Sequence, residues 1–505
     1  MRGEVDLLDT LLADAYAEYY AEGDLPFIVP SEAGLRRIRS RIQEAKSRST
    51  RDRVGDFWAA HFTELIQALE SAMEEDLERP FRIMDQMASA LRVARAYGGR
   101  DGEEAKKRLQ SKFGTAVDAL TEVSVIADKC SERDSDLMAR SAGLLREELL
   151  RADAVGEWLP ERERESMEEL TARIAIASRA GGTREPSVPR DFPDVVRRSY
   201  AWDIDQILSW YEEDLSYCLN EFNEIAAGID PHRTPLEILA QDLGACSSAE
   251  EMFRLARQYV ATAKQVGSRY VTLPEDERMM VRPLSPAFQI TCPWGVYNSE
   301  EMTPQNLVGW LELNDKNFRA VTRGWLEMMA VHEGYPGHHA HFAKTKSSRT
   351  LPKSFKTNTS AADYLIEGIA HRSERLLEGI FPEPAYRLFV AYRRLHCVMR
   401  IKAEVDLHLY GRPPEDTVRD YMTVMGFDRP SAQVQTQAHF VQPGRAFSYY
   451  TGQKVLEECR EQLGTDPATY TELIFSHGNV SLGTMLSIVR MGEEGRCKIM
   501  RREVP

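Results

Sequence analysis

The stretch HEGYPGHHAH, which runs from His332 to His341, departs from a familiar metal-binding pattern. In the pattern H-E-x-x-H, two histidines stand four positions apart on a helix and hold one ion, with the glutamate beside them as a base. Four positions after His332 this chain has Pro336, which offers no ligand atom. If His332 and the later His338 bind one ion, the helix that carries them has to be interrupted between the two histidines.

The segment GYPG between these two histidines has the residues that interrupt a helix. A regular helix turns about 100° per residue, so positions six apart lie about 120° apart and cannot share an ion. Pro336 removes an amide donor and clashes with the preceding turn, and it disfavours helical angles in the residue before it. The flanking glycines permit unusual backbone angles. We expect the break to loop out two residues and return His338 to the face of His332.

Apolar residues before the motif predict a helix with one buried stripe, which His332 continues. The stripe consists of Phe318, Val321, Trp325, Met328 and Met329. A lone histidine on such a stripe is typical of a hydrogen-bonded core residue. The adjacent glutamate and the histidines that follow favour a metal site instead.

A metal site of this kind needs a third protein ligand and an open position for water. The segment SAADYLIEGIAHRSERLLEG, residues 360–379, predicts a helix on which Glu367, His371 and Glu374 share one face. Apolar neighbours on both sides of Glu367 favour its burial. We therefore predict Glu367 as the third ligand, with His371 or Glu374 orienting the ligand histidines.

The predicted ligand set is thus His332, His338 and Glu367, with Glu333 beside the ion as the candidate general base. Zn²⁺ suits two imidazoles and one carboxylate, although such a site also accepts Mn²⁺ or Co²⁺. These residue types together predict hydrolysis by a metal-activated water.

Composition limits the kinds of partner. The chain has 505 residues and a formal net charge of −15, which argues against nucleic acid or an anionic membrane as a partner. We expect neither a secretory signal nor a membrane span, since no apolar run is long enough for one, and the seven cysteines are scattered. We expect a cytoplasmic protein; the oligomeric state stays open, a dimer included.

Periodicity predicts a helical N-terminal region at 1–180 that forms part of a cleft, with its clearest helices at 57–77 and 79–99. A cluster of Gly, Pro and Ser predicts a linker at 181–193. The chain from 194 to 505 is then the catalytic, metal-binding region.

Within that region, residues 279–299 are rich in Pro, aromatic and β-branched residues and predict one or two strands. From about 303 the chain predicts helices to its end. One of them, MRIKAEVDLHLY at 399–410, places Arg400, Glu404 and His408 on one face, which we interpret as a buried structural network.

Several blocks of the sequence resemble one family. HEGYPGHH (332–339), EGIAH (367–371) and VQPGRAFSYYTGQ (441–453) look like the H-E-x-x-P-G-H-H, E-G-W-A and P-G-Q-A-x-S-Y-x-x-G blocks of the domain-of-unknown-function 885 family. GVYNS (295–299) and FSHGNVSLGTML (475–486) resemble its Y-x-N and L-x-N-G-x-x-P-L segments. The blocks occur in order over about residues 195 to 490.

That family is similar to zinc metallopeptidases of the gluzincin type, near the carboxypeptidase Taq and thimet oligopeptidase families. The resemblance implies a mainly α, zincin-like fold with two lobes, a deep central cleft and a small β-sheet edge beside the substrate. It implies ligands at His332, His338 and Glu367 and a base at Glu333, the same four residues that the spacing indicates.

The chain also departs from the family. Where the family has Trp, Gln, Asn and Pro, this sequence has Ile369, Arg445, His477 and Gly483. The E-x-x-R-Y residues expected before the PGRA segment are missing there, at QTQAHF. These changes lie where substrate would be held and leave the metal ligands intact.

Candidate substrate residues follow from the same blocks. Tyr449, at the family's Tyr position, is the first candidate to stabilise the developing oxyanion, with Tyr450 or His477 as alternatives. Arg445 could hold a substrate carboxylate through two hydrogen bonds; the alternative is a surface salt bridge. Tyr450 and Tyr297 complete the predicted substrate contacts.

The sequence thus predicts a zinc-dependent hydrolase that cleaves an amide bond in short peptides or a dipeptide-like small molecule, in the manner of a carboxypeptidase. Two alternatives stay open: a catalytically silent scaffold for a peptide or metabolite, and a metal-dependent lyase or transferase. Glu333 argues against the scaffold, which needs no base beside the metal.

Overall fold

The computed structural model describes residues 2–20, 32–78, 161–180, 191–284, 294–299 and 302–505, together with Cys292 and single positions between 84 and 146. These residues are mainly helical and include one small sheet. The chain divides into two compact units: 1–2, 56–64 and 191–505 form the larger, and 3–55 with 65–190 the smaller. The predicted helix at 79–99 and the predicted linker up to residue 190 lie outside the continuously described ranges.

The described helices before residue 190 are amphipathic. Their bounds are α1 (Arg2–Tyr20), α2 (Glu32–Arg48), α3 (Arg51–Glu78) and α4 (Glu161–Ala180). On α1 the buried side chains recur at helical spacing, through Val5, Leu8, Leu12, Tyr16 and Tyr19. Tyr16 donates a hydrogen bond to the carbonyl of Leu65 on α3 at 2.7 Å. The predicted helix at 57–77 is confirmed by α3.

The larger unit carries most of the described helices. Before the sheet they are α5 (Phe192–Tyr200), α6 (Ile204–Leu208), α7 (Tyr211–Ile229), α8 (Pro235–Asp242) and α9 (Ala249–Gly267). After it come α10 (Arg323–Met329), α11 (His338–Ser347), α12 (Asp363–Leu376), α13 (Pro384–Glu404), α14 (Pro414–Met425), α15 (Arg429–Val441), α16 (Ser448–Gln462), α17 (Pro467–Phe475), α18 (Leu482–Arg490) and α19 (Glu493–Met500).

The sheet has three strands in the order β1 (Arg278–Pro283), β3 (Val308–Leu313), β2 (Gly295–Asn298). β1 runs parallel to β3 and β2 runs antiparallel to it, with Tyr297 of β2 opposite Leu311. The strands predicted within 279–299 are confirmed. β3 was not predicted, and it lies in a stretch for which the periodicity had predicted helix.

The predicted helix from Phe318 onward is also wrong in its first turns. The hydroxyl of Thr322 accepts the amide of Trp325 at 3.4 Å and so caps a helix that begins only at Arg323. The apolar residues Phe318 and Val321 continue the helical spacing, but they lie before this cap and are not part of the helix.

Two glycines bring α12 and α16 into close contact. A Cβ atom on Gly368 would lie 2.5 Å from the Cα of Gly452, and one on Gly452 would lie 2.0 Å from the carbonyl oxygen of Tyr364. Only glycine allows two helices to approach so closely. This contact sets Glu367 on α12 near the first turn of α16, which carries Tyr449.

None of the described helices is long and apolar enough to cross a membrane.

Candidate metal centre

The helix that carries His332 breaks between the two histidines, as predicted. α10 ends at Met329, a π-helical turn spans Ala330–Gly334, and α11 begins at His338. A Cβ atom on Gly337 would lie 1.8 Å from the carbonyl oxygen of His332. The chain therefore folds back on itself at a point that only glycine can occupy.

The break and α12 bring the predicted ligands together. The Nε2 atom of His332 lies 3.5 Å from Oε2 of Glu367, and Nε2 of His338 lies 3.4 Å from the same oxygen. The two imidazole rings stand almost perpendicular, with centroids 4.9 Å apart. Ligand atoms of His332, Glu333 and His338 lie within 4.8 Å of one another. Sequence reasoning thus located residues from two separate segments that meet in space.

These residues fit a tetrahedral divalent cation. Two ligand atoms that each bind Zn²⁺ at about 2.1 Å lie about 3.4 Å apart in a tetrahedral site, close to the separations of Glu367 Oε2 from the two imidazoles. That carboxylate oxygen is buried and has no hydrogen-bond partner among the described residues. A buried, unpartnered carboxylate oxygen facing two ring nitrogens is what a cation would satisfy.

Three carboxylates act on the ring of His332. Its Nδ1 donates to Oε1 of Glu374 at 2.7 Å, which leaves Nε2 to bind the proton or the metal ion that faces Glu367. Burial disfavours a charged ring, yet the neighbouring carboxylates Glu333, Glu367 and Glu374 together raise the pKa of His332 to about 10. The pocket therefore draws in positive charge, either a proton or a metal ion.

Glu374 also contacts the second predicted orienting residue. Its Oε1 lies 3.2 Å from Nδ1 of His371. Burial opposes a charge on His371, but Cys397 and Glu374 raise its pKa to about 8. Glu374 thus bridges His332 and His371, and the structure brings both predicted orienting residues behind the cluster.

Arg445 lies against the candidate ligand carboxylate. Its Nη2 donates to Oε1 of Glu367 at 3.3 Å, and its Nε donates to Oδ2 of Asp363 at 3.3 Å. Burial works against the charge of Glu367, but the two histidines and Arg445 hold its pKa well below its usual range. Two carboxylates already match the charge of Arg445, and its role in substrate binding stays a prediction.

The two predicted tyrosines of α16 point to different surroundings. The ring of Tyr449 stacks on His332 with centroids 6.2 Å apart, and burial raises its pKa to about 12. The hydroxyl of Tyr450 accepts from the Cys218 thiol at 3.6 Å, and its ring packs on Trp210. Successive helical residues point about 100° apart, so only Tyr449 lies at the cluster.

Tyr297 reaches the cluster from the edge strand β2. Its ring lies 6.3 Å from that of His338, and its hydroxyl is 3.0 Å from Nδ1 of His339. Nε2 of His339 donates to Oε2 of Glu277 at 2.7 Å, and the hydroxyl of Tyr335 donates to the same oxygen at 2.6 Å. A buried Glu277–His339 pair therefore fixes the hydroxyl of Tyr297.

Glu277 was missed in the sequence because it lies in the charged run PEDER, which resembles a solvated loop. No local signal distinguished it: the strand β1 that follows carries it beneath the histidine segment, and its side chain is buried.

His477 is held by its own helix turn. Its Nδ1 donates to the carbonyl of Leu473 at 2.8 Å, and burial lowers its pKa. The neighbouring carbonyl of Gly478 accepts from Nε2 of His341 at 3.3 Å. The described contacts of this segment are thus with Leu473 and with His341 of α11, and a catalytic role for His477 stays a prediction.

Glu404 anchors the segment that carries Arg445. Its carboxylate accepts the backbone amides of Gly444 and Ala446, and Nδ1 of His439 donates to it at 3.1 Å. The other ring nitrogen of His439 lies 2.7 Å from the hydroxyl of Tyr421. These contacts agree with the structural role predicted for Glu404. Arg400, on the same face of α13, lies against the ring of Tyr449.

The fold and the cluster together define a mainly helical protein in which two histidines and a glutamate converge at a broken helix. The chain belongs to a family of bacterial proteins of unknown function, DUF885, whose sequence model matches residues 30–489. The resemblance noted in the sequence is thereby confirmed. A comparison with curated proteins finds no match.

Two solved structures share this fold. One, described as a "putative lipoprotein" from Colwellia psychrerythraea, has a TM-score of 0.69 at 14% identity and covers 96% of this chain and 98% of its own. The other, a "putative lipoprotein of unknown function" from Shewanella oneidensis, has a TM-score of 0.68 at 13% identity and covers 97% and 98%. At these identities the likeness concerns the fold alone.

Proposed function

We propose that this protein is a zinc-dependent hydrolase that cleaves an amide bond in short peptides or dipeptide-like small molecules, on a zincin-like, two-lobed fold with a deep cleft. The observation that carries the proposal is the convergence of two imidazole nitrogens on one unpartnered oxygen of Glu367, at 3.5 and 3.4 Å. A base, Glu333, stands within the same cluster.

His332, His338 and Glu367 would hold the metal, with Mn²⁺ or Co²⁺ as substitutes. When bound, such an ion lowers the pKa of a water ligand toward neutrality and polarises the substrate carbonyl. Glu333 takes the proton of the attacking water and passes it to the leaving amine. Glu374 keeps the ring of His332 in the tautomer whose Nε2 is free to bind.

Tyr449 is the proposed donor to the developing oxyanion. With a pKa of about 12, its phenol keeps its proton at neutral pH and can donate a hydrogen bond. Tyr297 is the second hydroxyl beside the cluster, and burial, followed by the charges of Glu333 and Glu277, keeps its pKa well above the usual value. It is therefore also a donor, on the side of the sheet edge.

The proposal is tested by metal content and by an activity screen. Purified protein is expected to contain about one zinc per chain and to hydrolyse at least one member of a panel of dipeptides and N-acyl amino acids. Glu333→Gln, which removes the base but none of the three ligands, should keep the metal and lose at least about 100-fold in kcat. Mass analysis of the products should show addition of water.

The control is Glu378→Gln, a substitution beyond the end of α12 at a carboxylate that pairs with Arg375; it should leave activity unchanged. Full activity in Glu333→Gln would refute the catalytic assignment. A chain without metal and without activity would favour a binding scaffold, and products without added water would favour a lyase.

Partners and location are part of the proposal. The proposed substrate is a short peptide or a small amide, and nucleic acid is not a proposed partner. The cytoplasmic location expected from the sequence stays a prediction. The two similar structures are of proteins described as a "putative lipoprotein".

A further inference from the structure

Arg400 is a cation near the cluster that forms no ion pair with any described carboxylate. It is partly buried on α13, and its Nη2 donates to Oε1 of Gln435 at 3.3 Å. Its buried Nε has no hydrogen-bond partner, and within the described part of the chain no carboxylate lies within 4.0 Å of its guanidinium. A desolvated cation without a counter-charge is costly, so this arrangement points to an anion from outside.

The arginines around Arg400 differ from it in this respect. Each of them has at least one carboxylate within 4 Å: Asp363 and Glu367 for Arg445, Glu221 for Arg394, and Glu374 for Arg393. Their charges are already used to hold helices or ligands in place. Of these four arginines, Arg400 alone has no carboxylate partner among the described residues.

The position of Arg400 relates it to the candidate metal centre. Its Cζ lies 4.9 Å from the ring centroid of Tyr449, and that ring stacks on the ring of His332. One aromatic ring therefore separates Arg400 from a candidate ligand. In an N-acyl amino acid, or in the last residue of a peptide, a single carbon atom separates the amide nitrogen from the free carboxylate, so a residue that binds this carboxylate has to lie close to the residues that hold the amide.

We propose that Arg400, assisted by Gln435, binds the free carboxylate of the substrate. The substrate class is then N-acyl amino acids and peptides that lose their last residue. This inference rests on the proposed amide hydrolysis, for which the sequence predicts a carboxypeptidase-like direction, and adds the residues that bind the free carboxylate. A guanidinium can hold a carboxylate by two parallel hydrogen bonds, and the amide oxygen of Gln435 keeps the side chain of Arg400 in position.

The test measures binding without turnover. Full-length Glu333→Gln protein, treated with zinc, is titrated in a calorimeter with the N-acetyl derivatives of the twenty amino acids, each as free acid and as amide. The best free acid should bind at least about 10-fold more tightly than its amide, because a charge-assisted hydrogen bond is lost in the amide. Adding Arg400→Gln should abolish this preference.

Two further variants guard against indirect effects. Arg400→Lys keeps the charge but not the paired donors and should retain part of the preference. Arg419→Gln removes an exposed arginine that pairs with Asp416 and should change nothing. Thermal unfolding of each variant checks that the fold persists.

Several outcomes overturn the inference. These are equal binding of acids and amides, a preference that survives Arg400→Gln, and no binding of any free acid. These outcomes do not affect the proposed hydrolysis, provided that the parent protein cleaves an amide bond. Conversely, an acid preference that depends on Arg400 in a protein that hydrolyses nothing supports the carboxylate site and refutes the proposed function.

Discussion

At the scale of single residues, Glu374 shows how one buried carboxylate organises several side chains of the candidate centre. Its Oε1 lies 2.7 Å from Nδ1 of His332 and 3.2 Å from Nδ1 of His371. Burial works against its negative charge, but His371 and Arg393 hold the pKa of Glu374 well below its usual range. It therefore remains a carboxylate that fixes the ring of His332 and increases the basicity of Nε2.

Replacing Glu374 by Gln is expected to weaken zinc binding about 10-fold, because partners behind a ligand histidine typically contribute 10- to 100-fold in affinity. The effect lies at the low end because the amide oxygen of Gln can still accept from His332, while the charge is lost. Competition against a chelator of known affinity at fixed pH measures the change. Glu378→Gln serves as the control, and equal affinity in the two variants would contradict the role given to Glu374.

The sequence predicts the position of some site residues better than that of others. The difference depends on whether a residue's contacts lie close to it in the sequence or far from it. His332, His338 and Glu333 share one short segment whose Pro and Gly content foretells its shape. Glu367 required only a helix with a buried face. The sequence could not choose between His371 and Glu374, because the choice depends on which side chain faces α10. Arg400 was interpreted from the sequence as part of a buried structural network with Glu404 and His408, because the lack of a carboxylate partner among the described residues depends on the tertiary structure.

At the scale of elements, the turn between α10 and α11 depends on Gly337. A methyl group there would meet the carbonyl oxygens of His332 and Val331, at 1.8 and 2.3 Å. Gly337→Ala is therefore expected to destabilise the protein by about 3 kcal/mol and to separate the two histidines. Chemical denaturation and zinc stoichiometry measure both effects.

The matched control for this turn is Gly379→Ala, where an added Cβ would have no atom within 4 Å. It should change stability by less than about 1 kcal/mol. If Gly337→Ala bound zinc as tightly as the parent and unfolded like Gly379→Ala, the ligands would not depend on this backbone reversal.

Elements were predicted where local signals agree and missed where pairing is remote. The helix α3 and the strands within 279–299 have clear periodicity or composition. Strand β3, in contrast, is defined by its pairing with β1 about 30 residues earlier. The apolar spacing around Phe318 resembled a helix because the cap at Thr322 carries no strong sequence signal by itself.

At the scale of the whole molecule, the candidate ligands all lie in the larger compact unit, which includes 191–505. A ligand that binds only the folded state stabilises the unit that holds it, by about 4 kcal/mol at a thousandfold excess over Kd. Removing zinc with a chelator at pH 7.5 should therefore lower the unfolding temperature of the larger unit by about 5 °C. The transition of the smaller unit should stay where it is.

Lowering the pH should shrink this difference, because a metal ion binds the neutral form of an imidazole and therefore competes with protons for its ligand nitrogens. The stabilisation by zinc is therefore larger at high pH and is lost as the pH falls. At pH 5.5 we expect a smaller shift of the unfolding temperature than at pH 7.5. Scanning calorimetry with chelator, and again after zinc is restored, measures both transitions. His338→Ala should show no chelator effect at either pH, whereas Glu333→Gln should respond like the parent, because its side chain is the base and not a ligand. A shift of equal size in His338→Ala would mean that the metal binds elsewhere.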